Sequence, residues 1–434
     1  MMRLKILYYY LKSKFALQPK TRAELDTLQK KKFLDFQRKV LSKSNYFRPF
    51  WEKDLSNYPL MNKKIMMDFF DEINTSGISA KEALQIAIEA ENSRNFKPML
   101  KDHIVGLSTG TSGSKGLFIV SQNEKLLWLA EVLAKLLPTR LFYKHRIALF
   151  MRANSNLYES LSLSGRISFK YFDLSDDLSA LMKECERYNP TILVCPPKVL
   201  KMIAKAQKNE IINVNPIKII SIADVLEDQD KQFIENEFKQ IVHQIYQCTE
   251  GFLGATCKFG TIHLNENNIL VEKEWIDEKE GKFIPIITDL KRTTQPIVRY
   301  RLNDVLTLKK RACKCHSPYV AIESIEGRED QILYFKSASK QTLEPIFPDF
   351  IRRAIIMTSN EIEDYQVTQL SPAELCIGIS QKNDNEIHSE IYHSIVNCLS
   401  AKGLIIPKID FIAYKETKLG DKLMRIRREF TVDE

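Results

Sequence analysis

Thr191-Ile-Leu-Val-Cys195-Pro-Pro-Lys-Val-Leu-Lys-Met-Ile-Ala-Lys-Ala-Gln207 decides the fold. Thr191–Cys195 is a short apolar run of strand type. Pro196-Pro197 ends it, because proline donates no N–H to a strand ladder. Val199–Gln207 then reads as a helix, with apolar residues recurring at helical spacing. The unit repeats outward in both directions. Ile147–Met151 is a strand and Leu178–Tyr188 a helix on the N-terminal side; Ile217–Ile222, Asp228–Phe238 and Val242–Tyr246 read as strand, helix and strand on the other. Alternating elements of these lengths predict a layered α/β domain around a largely parallel sheet.

Further out, residues 22–43 are helical in pattern, with Phe33, Phe36 and Val40 on one face. Ala80–Ala90 is a second helical stretch, and Asn123–Leu137 a long apolar one stopped by Pro138. Beyond Tyr246 the pattern becomes strand-rich: Thr261–Leu264, Ile269–Glu272, Phe283–Thr288, Ile297–Tyr300 and Val305–Leu308. The last hundred residues alternate again, with strands near Tyr365–Val367, Leu375–Ile379 and Ile409–Tyr414 and a helix near Glu386–Leu399. The expected organisation is a large domain over 1–329, opening on a helical segment of about 1–100, and a small α+β domain over 330–434.

The bulk numbers bound the function. Among 434 residues, 44% are hydrophobic and 27% charged, enough for a sizeable core. A net charge of +9 suits an anionic small-molecule ligand. The basic residues are dispersed and no nucleic-acid motif accompanies them, so nucleic acid is not an expected partner. No run of eighteen apolar residues is present, hence no transmembrane helix is expected. The first fourteen residues, basic and aromatic, lack the uninterrupted apolar region and cleavage site of a signal peptide. A short amphipathic docking segment is the other reading of them. Eight cysteines in a chain this long form no dense disulfide framework, and a cytoplasmic location is expected.

Only 14 residues are glycine, yet Gly106, Gly110, Gly113 and Gly116 fall within eleven positions. The segment Leu107-Ser-Thr-Gly-Thr-Ser-Gly-Ser-Lys-Gly116 alternates small hydroxyls with glycines. Such a loop can turn its N–H groups toward one point and cradle an anion. The hydroxyls of Ser108, Thr109, Thr111 and Ser112 can donate further bonds to phosphate oxygens. A helix is expected within a few residues. The G-x-x-x-x-G-K-[ST] pattern is not met, because no Lys-Ser or Lys-Thr pair follows.

This loop resembles the phosphate-binding loop of the adenylate-forming enzymes, most closely the phenylacetate–coenzyme A ligase branch and the related deazaflavin-adenylylating synthetases. Other segments resemble that family in order along the chain. Tyr58–Lys63 is similar to the branch's N-terminal segment. Ile219–Leu226 resembles a turn beside the adenine, with Asp224 in place of Glu and Ala223 as its small residue; a helix N-cap at Asp224 or Asp228 explains the same residues. Tyr246-Gln-Cys-Thr-Glu250 is similar to Y-G-x-T-E, with Gln247 for glycine. Thr288-Asp-Leu and Gln295–Asp304 resemble T-D-L … P-x-x-R-Y-x-T-G-D, with Asn303 for glycine. Gly327-Arg-Glu-Asp330 is similar to G-R-x-D, and Gly420–Arg425 to G-K-x-x-R with Asp421 inserted.

The resemblance implies roles. Ser108, Thr109, Gly110, Thr111, Ser112, Gly113 and Lys115 would line the phosphates of ATP. Asp224 and Tyr246 would lie beside the nucleotide, Thr249 would contact phosphate and Glu250 would hold Mg²⁺. Asp304 would take the ribose hydroxyls, Arg328 would contact the nucleotide, Asp330 would be the hinge of a mobile lid and Lys422 the catalytic lysine. Arg299 is read equally as a structural salt bridge. The implied reaction adenylates a carboxylic acid, releases pyrophosphate and passes the acyl group to coenzyme A. A carrier-protein thiol, adenylation with no thiol step, and nucleotide binding without turnover are the alternatives. The branch implies an aromatic or arylalkanoic acid, and Tyr143, Tyr158, Phe169, Tyr171 and Phe172 are placed where they could line a flat pocket or form core. A homodimer is compatible with this reading.

Cys257, His263, Cys313 and Cys315 are three thiols and an imidazole, the donor set of a closed tetrahedral zinc site. His316 is a rival fourth ligand, and four unconnected small buried residues are the alternative. Cys185, Cys195, Cys248, Cys376 and Cys398 are expected in the core.

Overall fold

The computed structural model describes the chain apart from residues 1, 16–17, 94, 96–97, 109–115, 139–142, 152–166, 360–361, 381–384, 417–423 and 433–434. It divides into two compact units, one of residues 1–302 and 308–323, the other of 303–307 and 324–434. Two short segments upstream of Asp330 thus group with the C-terminal unit.

In the first unit the strands Ile167–Asp173, His145–Met151, Ile192–Cys195, Lys218–Ser221 and Val242–Cys248 lie side by side in that order and run parallel. Their burial explains the continuous apolar runs: a parallel sheet is covered on both faces. Helix Pro197–Lys208 buries Val199, Leu200, Ile203 and Ala204, and Pro197 occupies its first turn, where no N–H is needed. Each such aliphatic residue contributes about 2 kcal/mol when buried, so Ile203→Asp would unseat the helix.

The sheet then changes character. Gly251–Thr256 and Ile262–Leu264 continue it antiparallel, and Ile262 pairs with Ile322. Ile269–Asp277, Lys282–Asp289 and Ile297–Arg301 form an antiparallel meander. A separate three-stranded sheet, Met99–Leu100, His103–Leu107 and Leu117–Ser121, carries the glycine-rich segment at its hairpin end. That segment leads through strand Leu117–Ser121 into helix Gln122–Leu136, the helix expected within a few residues of the loop. In the hairpin Gly106 faces Phe118, and a Cβ on Gly106 would lie 2.3 Å from the Phe118 ring.

Helix Gln122–Leu136 begins with a capping box between Ser121 and Glu124. The buried Glu124 also accepts from the backbone N–H groups of Thr293 and Thr294 at 2.6 and 2.9 Å, fixing the turn before Ile297–Arg301. An N-terminal helix, Met2–Phe15, packs Ile6 and Tyr10 into the core formed with Leu126, Leu129, Leu133 and Leu137. No described helix is long and apolar enough to cross a membrane.

The second unit holds a sheet ordered Lys408–Ala413, Glu374–Ser380, Asp364–Ser371, Ile426–Arg428 and a two-stranded ribbon, Leu333–Lys336 with Leu343–Ile346. Helices Pro348–Ile356 and Asn385–Ser400 contribute Ile351, Ile355, Ile391 and Ile395 to its core.

Candidate active site

An open cleft in the first unit is lined by Lys63, Met66, Met67, Ser108, Gly116, Leu117, Phe118, Thr249, Glu250, Arg292, Gln295, Ile297 and Tyr300. Three stretches singled out in the sequence thus meet: the glycine-rich loop through Ser108 and Gly116, the Thr249-Glu250 pair, and the strand running into Arg299-Tyr300.

The loop is pinched at its neck. The Ser108 N–H donates to the Gly116 carbonyl at 2.7 Å, and the Gly116 N–H donates to Ser108 Oγ at 2.8 Å. Ser108 Oγ accepts in the second bond and still carries a proton to donate. Thr109, Gly110, Thr111, Ser112, Gly113 and Lys115 lie outside the described residues.

Thr249 and Glu250 form the turn between strands Val242–Cys248 and Gly251–Thr256. A Cβ on Gly251 would lie 2.9 Å from Asp289 Oδ2, so the glycine lets the strand pass close to that carboxylate. Burial raises the Tyr300 phenol, and the neighbouring Glu250 carboxylate, which it hydrogen-bonds, raises it further. The phenol stays protonated and donates to Glu250. Burial likewise pushes the Asp289 carboxyl up to about 6, against the Lys291 N–H bond and Arg292.

Spacing gave no signal for Arg292 and Gln295. Gln295 accepts from the Ile119 N–H at 3.1 Å and donates to the Leu117 carbonyl at 3.3 Å, tying the loop's exit strand to the cleft wall. Arg292 reaches the Ile119 carbonyl at 3.4 Å, while its Nε is buried with no hydrogen-bond partner among the described residues. A buried guanidinium N–H facing a cleft with hydroxyl donors suits an anion.

The other expected nucleotide residues lie elsewhere. Tyr246 is buried in its strand opposite Gly254, and neither it nor Asp224 lines the cleft. Asp224 is not an N-cap, because Glu227 precedes helix Asp228–Phe238; Ala223 beside it has a φ of 72°. Asp304 and Arg328 belong to the second unit, where Arg328 Nε lies 4.0 Å from Asp304 Oδ1. Asp330 sits in the short turn Glu329–Gln331 just after them. Gly327 there has a φ of 133°, and a Cβ would meet Gln331 Oε1 at 2.1 Å.

Asn303, which stands where the family has glycine, does not have a positive φ; the left-handed residue in this motif is Arg299, at a φ of 43°. Its guanidinium pairs with Glu272 at 3.0 Å and donates to the Ser56 and Tyr58 carbonyls at 3.1 and 2.8 Å, which resolves it as structural.

Lys422 lies outside the described residues, but the chain on both sides of it does not. Asp364 accepts from Tyr414 Oη at 2.9 Å and from Arg425 Nε at 2.7 Å, so one carboxylate holds the chain before and after the lysine segment. Burial works against that carboxylate, and Arg425 more than offsets it, holding Asp364 below the usual range.

Of the aromatic residues read as pocket lining or core, three are packed into the fold. Phe172 stacks on Phe150 at 4.4 Å in the core, Phe169 packs against the helix Gln122–Leu136 core, and Tyr171 donates to the Met151 carbonyl. Tyr143 is exposed, and Tyr158 is outside the described residues.

The side chains of Cys257, His263, Cys313 and Cys315 converge, their donor atoms all within 4.8 Å of one another. Cys257 and Cys313 sulfurs are 3.7 Å apart, and Cys315 Sγ is 3.2 Å from His263 Nε2. His263 Nδ1 lies 3.1 Å from the Tyr319 carbonyl, which fixes the tautomer that leaves Nε2 with its lone pair. Burial opposes ionisation of Cys313, but bonds from Thr261, the Cys315 backbone and His263 hold its thiol down to about 6. His316 is exposed at a φ of 57° and is not in the cluster. Three thiols and one imidazole facing a common point fit a zinc ion.

No protein-family model matches the chain. It is 24% identical over 141 residues to a phenylacetate–coenzyme A ligase of Thermus thermophilus, a match spanning 30% of each chain. Among solved structures, 2-hydroxyisobutyryl-CoA ligase in its postadenylation state superposes with a TM-score of 0.65 over 93% of this chain and 88% of that one, at 13% identity. The amide bond synthetase McbA from Marinactinospora thermotolerans gives 0.55 over 74% and 67%, at 11% identity. The chain has the fold of the adenylate-forming ligases, and its sequence likeness is to their phenylacetate–coenzyme A ligase branch.

Proposed function

We propose that the chain adenylates a carboxylic acid with ATP and passes the acyl group to coenzyme A. The observation that supports this most is the meeting of Ser108, Gly116, Thr249, Glu250 and Arg292 in one cleft from three separate segments. Hydroxyls, backbone N–H groups and a guanidinium are what a polyphosphate requires, and a carboxylate beside them suits a hard cation.

In this reading the acid's carboxylate oxygen bonds to the α-phosphorus, the bond to the β-phosphate oxygen breaks, and pyrophosphate leaves. Ser108 and Thr249 donate to phosphate oxygens, and Arg292 offsets their charge from the cleft wall. Glu250, oriented by Tyr300, would hold Mg²⁺, which neutralises phosphate charge when bound. Asp304 takes the ribose hydroxyls, Arg328 the nucleotide, and Asp224 and Tyr246 the adenine side. Lys422 supplies positive charge at the α-phosphate, and Asp330 is the pivot of the C-terminal lid. In the second half-reaction the coenzyme A sulfur attacks the acyl carbon and AMP leaves. The phenylacetate ligase likeness favours an aromatic or arylalkanoic acid. Cys257, His263, Cys313 and Cys315 hold a structural zinc.

Hydroxylamine trapping over a panel of aromatic and aliphatic acids tests the activity, with acyl hydroxamate expected from the aromatic set. Lys422→Ala is expected to lower acid-dependent pyrophosphate exchange at least about a hundredfold; wild-type exchange in that variant refutes its role.

A further inference from the structure

The N-terminal helix Met2–Phe15 is apolar on two faces, and its own fold covers one. Ile6 and Tyr10 are buried against Leu129 and Leu133. Tyr9 Oη donates to Asn123 at 2.8 Å and Lys14 Nζ to the Ala134 carbonyl at 2.9 Å, so the helix is anchored in a fixed rotation. On the side turned outward, Leu4, Leu7, Tyr8, Leu11 and Phe15 are 72, 40, 59, 41 and 67% exposed. At 3.6 residues per turn these five project within an arc of about 100°. Apolar residues on two faces of a helix call for cover on both.

The charges say what covers it. The helix contains Arg3, Lys5, Lys12 and Lys14 and no acidic residue. Lys5 and Lys12, both exposed, are seven residues apart along one edge of the apolar arc. A second copy of the chain laid on this face would bring lysines against lysines with no carboxylate on the helix to pair them. An acidic lipid surface satisfies both features: leucine and aromatic side chains enter the headgroup boundary while the lysines meet phosphate above it. We propose that the outer face of the N-terminal helix docks the enzyme on an acidic membrane surface, through Leu4, Tyr8, Leu11 and Phe15 with Lys5 and Lys12 at the rim.

The test is co-sedimentation of the full chain with vesicles of phosphatidylcholine alone and of phosphatidylcholine mixed with phosphatidylglycerol. The wild type is expected to pellet with the mixed vesicles and to be released by high salt. A Leu4→Glu, Leu11→Glu variant should stay in the supernatant, and Lys5→Glu, Lys12→Glu should weaken partition about a hundredfold. Thermal melting of both variants should match the wild type, since the altered side chains are exposed. Absence of wild-type pelleting, or equal pelleting of wild type and variants, overturns the proposal. A concentration-dependent dimer without vesicles that Leu11→Glu abolishes also overturns it and makes a second copy the occupant.

Discussion

Strand Gly251–Thr256 has opposite chemistry at its two ends. Thr249 and Glu250 precede it in an open cleft, where oxygen donors and a guanidinium meet. Cys257 follows it in a cluster whose four soft donors already face one another. Six residues of strand separate them, roughly 20 Å. The difference teaches how the same backbone serves turnover and rigidity: a reaction needs coordination positions left for substrate, whereas a structural metal needs all of them filled by protein. The cluster also joins two connections far apart in sequence, around Cys257 and around Cys313, so a metal there would tie together two connections of interior strands.

The largest effect should come from the open end. Glu250→Gln keeps an acceptor for Tyr300 but removes the charge. Adenylation is expected to fall about a hundredfold or more, with Tm unchanged. At the closed end, Cys313→Ser should lose bound zinc and lower Tm by about 10 °C. The exchange rate below the melting range should stay near wild type. A strong chelator should reproduce the drop in the wild type and leave the variant unaffected. If Glu250→Gln lowered Tm, or Cys313→Ser abolished exchange in folded protein, the division of labour between the two ends would be broken.

The smallest effect sharpens the comparison from beneath the open end, where Asp289 abuts Gly251. Its carboxyl is held at about 6 against an ordinary 3.8, so the folded chain keeps a proton that the unfolded chain releases in between. Stability should therefore fall as pH rises from about 4 to 6, by about 2–3 kcal/mol at most, and Asp289→Asn should flatten that slope. Urea midpoints measured across this window read the change directly.

Much of this was legible in the residues. The parallel strands read clearly because burial on both faces leaves runs such as Ile192–Cys195 without polar interruption, and prolines mark their ends. Strand Ile167–Asp173 was obscured because Lys170 and Ser168 alternate with aromatics, which read as pocket lining or core; Phe172 is core. The hairpin around the glycine-rich loop was hidden by the loop itself. Ser108, Thr249 and Glu250 were found because their motifs are contiguous. Arg292, Gln295 and Tyr300 were not assigned roles, because only the pairing of Ile297–Arg301 with Lys282–Asp289 carries them to the cleft. The left-handed position fell on Arg299 rather than Asn303 because an ion pair and two carbonyl contacts hold that backbone where no glycine stands.

The hairpin beneath the loop also constrains the order in which its residues can change. Phe118 lies where a Cβ of residue 106 would have to be. Alanine at 106 on the present background collides with the ring, whereas shrinking Phe118 first opens the space and makes the later Gly106→Ala step tolerable. The two sites are thus expected to be epistatic: Gly106→Ala should cost more stability on the present background than after Phe118 has been shrunk.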